Sequence, residues 1–132
     1  MCGIVGIFSN DSIAEMALVV KKMKHSIAHR GPDDSGEWIQ KGVGLGHRRL
    51  SIIDVSANGH QPMLSSDGKI VVAFNGEIYN HIELRTELEN LGYVFESHSD
   101  TEVILASYKI WGKECLSRFN GMFAFLLYDF DK

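Results

Sequence analysis

Cysteine and proline are both scarce in this chain of 132 residues, which has two of each. Cys2 and Cys115 are too few for a disulfide framework, and they fit a reducing compartment. Long apolar runs are also missing: none approaches the ~20 residues that span a bilayer. The N-terminus lacks a basic flank, an apolar stretch and a small-residue cleavage site, so no secretory signal is expected. Positive charge is in deficit, with 13 Lys and Arg against 17 Asp and Glu and a net charge of −4. That balance argues against nucleic acid or a membrane as partner, though it leaves room for a local basic patch. No internal repeat or Pro- or Ser-rich linker divides the sequence. What is present is ordinary globular composition, 45% hydrophobic and 23% charged. One domain of this length buries roughly 68% of its unfolded surface, enough for a useful core. The expectation is a soluble, cytoplasmic, single-domain protein.

Hydrophobic periodicity supplies the elements. Cys2 to Phe8 is apolar and β-branched, a buried strand at the extreme N-terminus. Ser12-Ile13-Ala14-Glu15 reads as a capping box opening a helix, with Ile13, Met16, Ala17, Val20, Met23 and Ile27 as its apolar stripe. Lys21, Lys22 and Lys24 are then most simply its solvated face. Pro32 and two glycines stop that helix before Gly36. Strands are expected over Glu37 to Gln40 and Val43 to Ile53, joined by a turn at Lys41-Gly42, and Val55 to Ser66 reads as irregular. Asp67-Gly68 turns into a strand from Lys69 to Phe74. Asn80-His81-Ile82-Glu83 reads as a second capping box, for a helix ending at Leu91-Gly92. A short strand from Tyr93 to Glu96, a helix capped by Ser99-Asp100-Thr101-Glu102 and a final strand from Met122 to Tyr128 complete the order. Short turns between neighbouring strands imply antiparallel sheets covered by helices, an α+β protein. The last strand is apolar on both faces and expects a sheet neighbour on each side, which reads as the front part of a longer protein.

Several residues could carry chemistry. Cys2 follows the initiator Met, whose removal would leave a thiol and a free α-amine on one residue, with reference pKa values of ~8.5 and ~7.7–8.0. That is the N-terminal-nucleophile arrangement; a buried apolar cysteine at a strand start is the bland alternative. Asn75-Gly76-Glu77 offers a side-chain amide beside a closely approachable N–H, as an oxyanion hole requires, or else a common Asn-Gly turn. Within a strand, Arg48 and Arg49 must face opposite ways, so only one can serve a given pocket, for instance by holding a carboxylate. Asp100 stands on a helix start and could bind an ammonium. The glycines at 42, 44 and 46 lie in strand, which argues against a phosphate cradle. His25 and His29 are four apart on a helix without an evident third ligand, so they read as solvated rather than metal-bound.

Taken together, six segments resemble the glutaminase domain of class II glutamine amidotransferases, in its asparagine synthetase branch. They are Met1-Cys2-Gly3-Ile4-Val5-Gly6, His29-Arg30-Gly31-Pro32-Asp33, Arg49-Leu50-Ser51-Ile52, Phe74-Asn75-Gly76-Glu77-Ile78-Tyr79-Asn80, Ser99-Asp100-Thr101-Glu102 and Gly121-Met122-Phe123-Ala124-Phe125. They span the chain in the family's order. The resemblance implies a four-layer αββα N-terminal-nucleophile hydrolase fold that is incomplete at its C-terminus, with residues 1–132 as the glutaminase domain and no synthetase domain. It implies Cys2 as nucleophile with its own α-amine as base, and Asn75 and Gly76 as the oxyanion hole. Arg49 would hold the substrate α-carboxylate, Glu77 and Asp100 its α-ammonium, and Leu50 and Ile52 would add backbone contacts. Glutamine is the implied substrate, and glutamate and ammonia the products. No metal or cofactor is implied for this domain; ATP and Mg belong to the synthetase domain, the expected partner in a longer protein, and a homo-oligomer is compatible. Two rival readings are a non-catalytic glutamine-binding or interaction fragment and an amidotransferase for another carboxylate, such as a sugar acid.

Overall fold

A computed structural model describes residues 2–40, 42–50 and 59–132. Strand β1 (Gly3–Phe8) leads into helix α1 (Ile13–Ser26). The α1 capping box forms as expected: Ser12 Oγ accepts the Glu15 N–H, and the Glu15 carboxylate accepts the Ser12 N–H at 3.0 Å. Met16 and Val20 of the expected stripe are fully buried, whereas Ile13 at the first turn is half exposed. Strands β2 (Asp34–Gln40) and β3 (Val43–Arg49) form an antiparallel hairpin, and β1 adds to the other side of β3. Helix α1 covers the outer face of this first sheet. Its seat is made of glycine: a Cβ at Gly44 would stand 2.8 Å from Val20 Cγ2, and one at Gly46 2.7 Å from Lys24 Cγ. The glycine-rich run therefore serves helix packing.

The second antiparallel sheet has the order β4 (Met63–Leu64), β5 (Ile70–Ile78), β6 (Gly121–Asp129). Helices α2 (His81–Asn90) and α3 (Asp100–Trp111) cover its outer face. Ile70, Val72, Phe74 and Ile78 pack there against Leu84, Leu88, Val103, Ile104 and Leu105. The opposite side of β5 presents Val71 and Ala73 to Val43 and Leu45 of the first sheet. Helix, sheet, sheet and helices thus stack as the expected αββα layers. On β6 the two apolar faces divide accordingly, Phe123, Phe125 and Leu127 toward the helix-side core and Leu126 and Tyr128 toward the intersheet core.

Local expectations differ at several places. Strand β5 runs on through Asn75-Gly76-Glu77, because Gly76 pairs with Phe123 and Glu77 with Met122. Tyr93 to Glu96 forms no strand; instead the Tyr93 and Phe95 rings, 4.7 Å apart, pack on the helix-side core. The capping box at α2 does not form. Asn80 spends its amide elsewhere, accepting the Asn120 N–H at 2.9 Å and donating to the Arg118 carbonyl at 3.0 Å. A short strand, β4, arises where irregular chain was expected. Strand β6 lies at a sheet edge and pairs only with β5 among the described residues. The expected strand at Ser51 to Ile53 falls outside the described residues.

Candidate active site

A cavity of about 260 Å³ opens where the start of β1, the end of β3, the middle of β5 and the N-terminus of α3 converge. Drug-sized ligands occupy pockets of about 300–1,000 Å³; this one is on the scale of a free amino acid. Cys2 enters it from the residue before β1, half-buried, with its Sγ accepting the Leu50 N–H at 3.4 Å. Its main chain is anchored as well: Arg30 Nε and Nη2 both donate to the Cys2 carbonyl at 3.3 Å. The other thiol, Cys115, is buried in the 3-10 stretch Gly112–Arg118, and burial pushes its pKa up.

Strand alternation separates the two arginines as expected. Arg49 is buried and lines the cavity, while Arg48 lines a groove on the opposite face of the sheet. Asp100, the first residue of α3, is buried on the cavity wall and its Oδ2 accepts the Ile78 N–H at 3.1 Å. Burial raises its carboxyl above the ordinary value; the Ile78 hydrogen bond and the nearby His81 pull the other way, and the Glu77 charge adds to the rise. Glu77 itself is exposed at the cavity edge. Gly76 also lines the cavity, at φ 142°, and a Cβ there would lie 2.2 Å from the Met122 carbonyl oxygen. Only glycine fits that approach of β5 to β6. Asn75 precedes it in β5 but is not on the lining, and its Oδ1 is buried with no hydrogen-bond partner among the described residues. Leu50 lines the cavity; Ile52 lies outside the described residues.

Two buried residues escaped the sequence reading. Strand β4 pairs only with Val71 and Val72, so the polar groups of Phe74 on that edge of β5 need other partners. Gln61 Oε1 accepts the Phe74 N–H at 2.7 Å, and Gln61 Nε2 donates to Thr101 Oγ1 at 3.1 Å. His47 Nε2 lies 2.9 Å from the Phe74 carbonyl oxygen. A carbonyl can only accept, so this nitrogen carries the proton. Burial depresses the His47 pKa to about 4, against the pull of that hydrogen bond. Both main-chain groups of the residue before Asn75-Gly76 are thus held by side chains, one of them from the opposite sheet. Isolated Gln and His carry no periodic signal. His25 and His29 are exposed, and no group of three metal-ligating side chains occurs among the described residues.

A thiol near the N-terminus, a buried guanidinium and two carboxylates thus meet around one cavity in an αββα sandwich. A family profile described as glutamine amidotransferase domain matches residues 1–132, and the chain belongs to that family. It is 50% identical over 132 residues to asparagine synthetase [glutamine-hydrolyzing] 1 of Bacillus subtilis, covering 98% of this chain and 21% of the relative. With asparagine synthetase B [glutamine-hydrolyzing] of Escherichia coli the identity is 45% over 133 residues, covering 100% of this chain and 24% of the relative. The chain therefore spans about a fifth to a quarter of the length of these curated relatives. The fold is shared with glutamine phosphoribosylpyrophosphate amidotransferase from B. subtilis, solved with ADP and GMP, at a TM-score of 0.77 and 23% identity over 97% of this chain and 35% of that one.

Proposed function

We propose that the chain hydrolyses the side-chain amide of glutamine to glutamate and ammonia, and that the ammonia feeds a synthetase-type, ATP-dependent amidation elsewhere in a longer protein. The observation that carries this reading is the Cys2 thiol sharing one amino-acid-sized cavity with Arg49, from β3, and with Glu77 and Asp100, from β5 and α3. Opposite charges from different elements around one cavity match the carboxylate and ammonium of a free amino acid, which leaves its side-chain amide to meet the thiol.

With Met1 removed, the Cys2 α-amine takes the thiol proton and the thiolate attacks the carboxamide carbon. The Gly76 N–H and the Asn75 side-chain amide stabilise the tetrahedral oxyanion. The α-ammonium returns its proton to the departing nitrogen, so ammonia leaves and a thioester forms. Water then attacks the thioester, releasing glutamate and restoring the thiol. Arg49 holds the α-carboxylate, Asp100 and Glu77 the α-ammonium, and Leu50 and Ile52 add main-chain contacts. An ammonium beside Asp100 restores the charged form that burial opposes. The mechanism assigns no metal or cofactor to this domain; ATP and Mg would act with the synthetase part. A thiol nucleophile needs a reducing compartment, in keeping with a cytoplasmic location. The names of the relatives support aspartate as the carboxylate that accepts the nitrogen.

The test is glutamate release from glutamine by the purified chain, alongside mass analysis of its N-terminus. Protein lacking Met1 should turn over and protein retaining it should not. Equal rates from the two forms would remove the α-amine from the mechanism.

A further inference from the structure

We infer that the outer face of the first sheet carries a second ligand site, built on Arg48, for a multivalent oxyanion of the phosphate class. It lies on the side of β3 opposite the Arg49 cavity and does not depend on the glutaminase reading.

Arg48 lines a groove of about 660 Å³ together with Lys21, Lys22, Lys24 and His25, and with the hydroxyls of Ser26 and Ser35. Four of the 13 Lys and Arg residues of a chain with net charge −4 thus meet at one groove. Only one of them is neutralised among the described residues. Lys24 pairs with Glu37 at 2.9 Å with its side chain 11% exposed, and also donates to Ser35 Oγ at 3.2 Å. That leaves the Ser35 hydroxyl hydrogen free to turn into the groove. Arg48 differs from its neighbours: its Nε is buried without a hydrogen-bond partner, and its guanidinium forms no ion pair among the described residues.

Buried arginine N–H groups are normally hydrogen-bonded, because an unpaired buried donor is costly. Here the unpaired one sits beside further cations, so the groove is short of an anion. The guanidinium fork suits bidentate contact with tetrahedral or planar oxyanions. Lys21 and Lys22 act as flanking point charges whose attraction grows with ligand charge, which favours a phosphate over a carboxylate. One effect opposes binding. Helix α1 ends at Ser26, and its C-terminal partial charge of about −0.5 faces the same region. Three unpaired cations outweigh it.

Pyrophosphate is the probe, titrated calorimetrically into the chain in 150 mM NaCl. Saturable one-to-one binding is expected, with Arg48→Gln weakening it at least tenfold and Arg48→Lys retaining part of it. Pyrophosphate should also raise the thermal midpoint of the native chain and not that of Arg48→Gln. Glutamine turnover should be unchanged in Arg48→Gln. Absence of saturable binding, wild-type affinity in Arg48→Gln, or equally tight binding of acetate would each overturn the proposal. Should Arg48→Gln fail to fold, the Lys21→Gln, Lys22→Gln double variant decides: severalfold weaker binding supports the site, and unchanged affinity refutes it.

Discussion

The half of the sandwich made of α1 and the first sheet seats its helix on glycines, while the other half packs α2 and α3 on β5 through aliphatic side chains. Gly44 and Gly46 bring α1 so close that a Cβ would collide with Val20 or Lys24. On the far side, Ile70, Val72, Phe74 and Ile78 interdigitate with Leu84, Leu88, Val103, Ile104 and Leu105. The site draws on both halves. Cys2 and Arg49 come from the first, and Gly76, Glu77 and Asp100 from the second. The cavity therefore exists only while the sheets hold their register. The fully buried apolar contact between them among the described residues is small, Val43 and Leu45 against Val71 and Ala73, and a buried polar link joins His47 to the Phe74 carbonyl. A polar bond across an apolar layer fixes position in a way that aliphatic contact does not.

The largest expected effect breaks the contribution of the first half outright. Cys2→Ala should lower glutamine turnover by about four orders of magnitude or more, while calorimetry still detects glutamine binding, since the thiol acts in bond-making. Next, Arg49→Ala should raise KM by the ~2–5 kcal/mol of a desolvated charge partner, and Arg48→Ala should leave KM unchanged. Equal damage from the two would undo the assignment of faces. In the second half, Asn75→Ala should cut kcat by ~10²–10³ with little change in KM. A KM effect instead would make Asn75 a ground-state contact.

The link between the halves is tested by pH. His47 titrates near 6.5 when unfolded and about 4 when folded, so the unfolded chain binds the extra proton between those values. Stability from this group is fully present above pH 6.5 and is lost as pH falls toward 4, by about 2 kcal/mol between pH 7 and pH 5. Urea unfolding at the two pH values measures it, and His47→Gln should flatten the difference. An effect of similar size is expected of Gln61→Leu, which orphans the Phe74 N–H and should cost ~1–3 kcal/mol of stability. Its kcat should fall more than its KM rises, because the strand it holds carries Gly76.

Local signals were legible where a residue's job involves its sequence neighbours. The Ser12–Glu15 box and the Ser99 cap formed as read, and β3 alternation turned Arg48 and Arg49 apart. The same pattern at Asn80 misled, since its amide found Asn120 and the Arg118 carbonyl, some forty residues away. Tyr93 and Phe95 resembled a strand by composition, yet no described strand lies beside them and their rings went to the core. Gln61 and His47 gave no signal, because each matters only through its contact with Phe74.

By itself the sequence determined the order of the main strands and helices and the α+β class, since these follow from periodicity and turn chemistry, while the runs holding Cys2, Arg49, Gly76 and Asp100 stood out by their resemblance to a known family. Tertiary structure alone decided that these four share one cavity, that β5 continues through Gly76, and that the Arg48 Nε has no hydrogen-bond partner among the described residues. The reason is physical: burial, desolvation and pairing across sheets depend on which distant segments meet, and no local pattern carries that information.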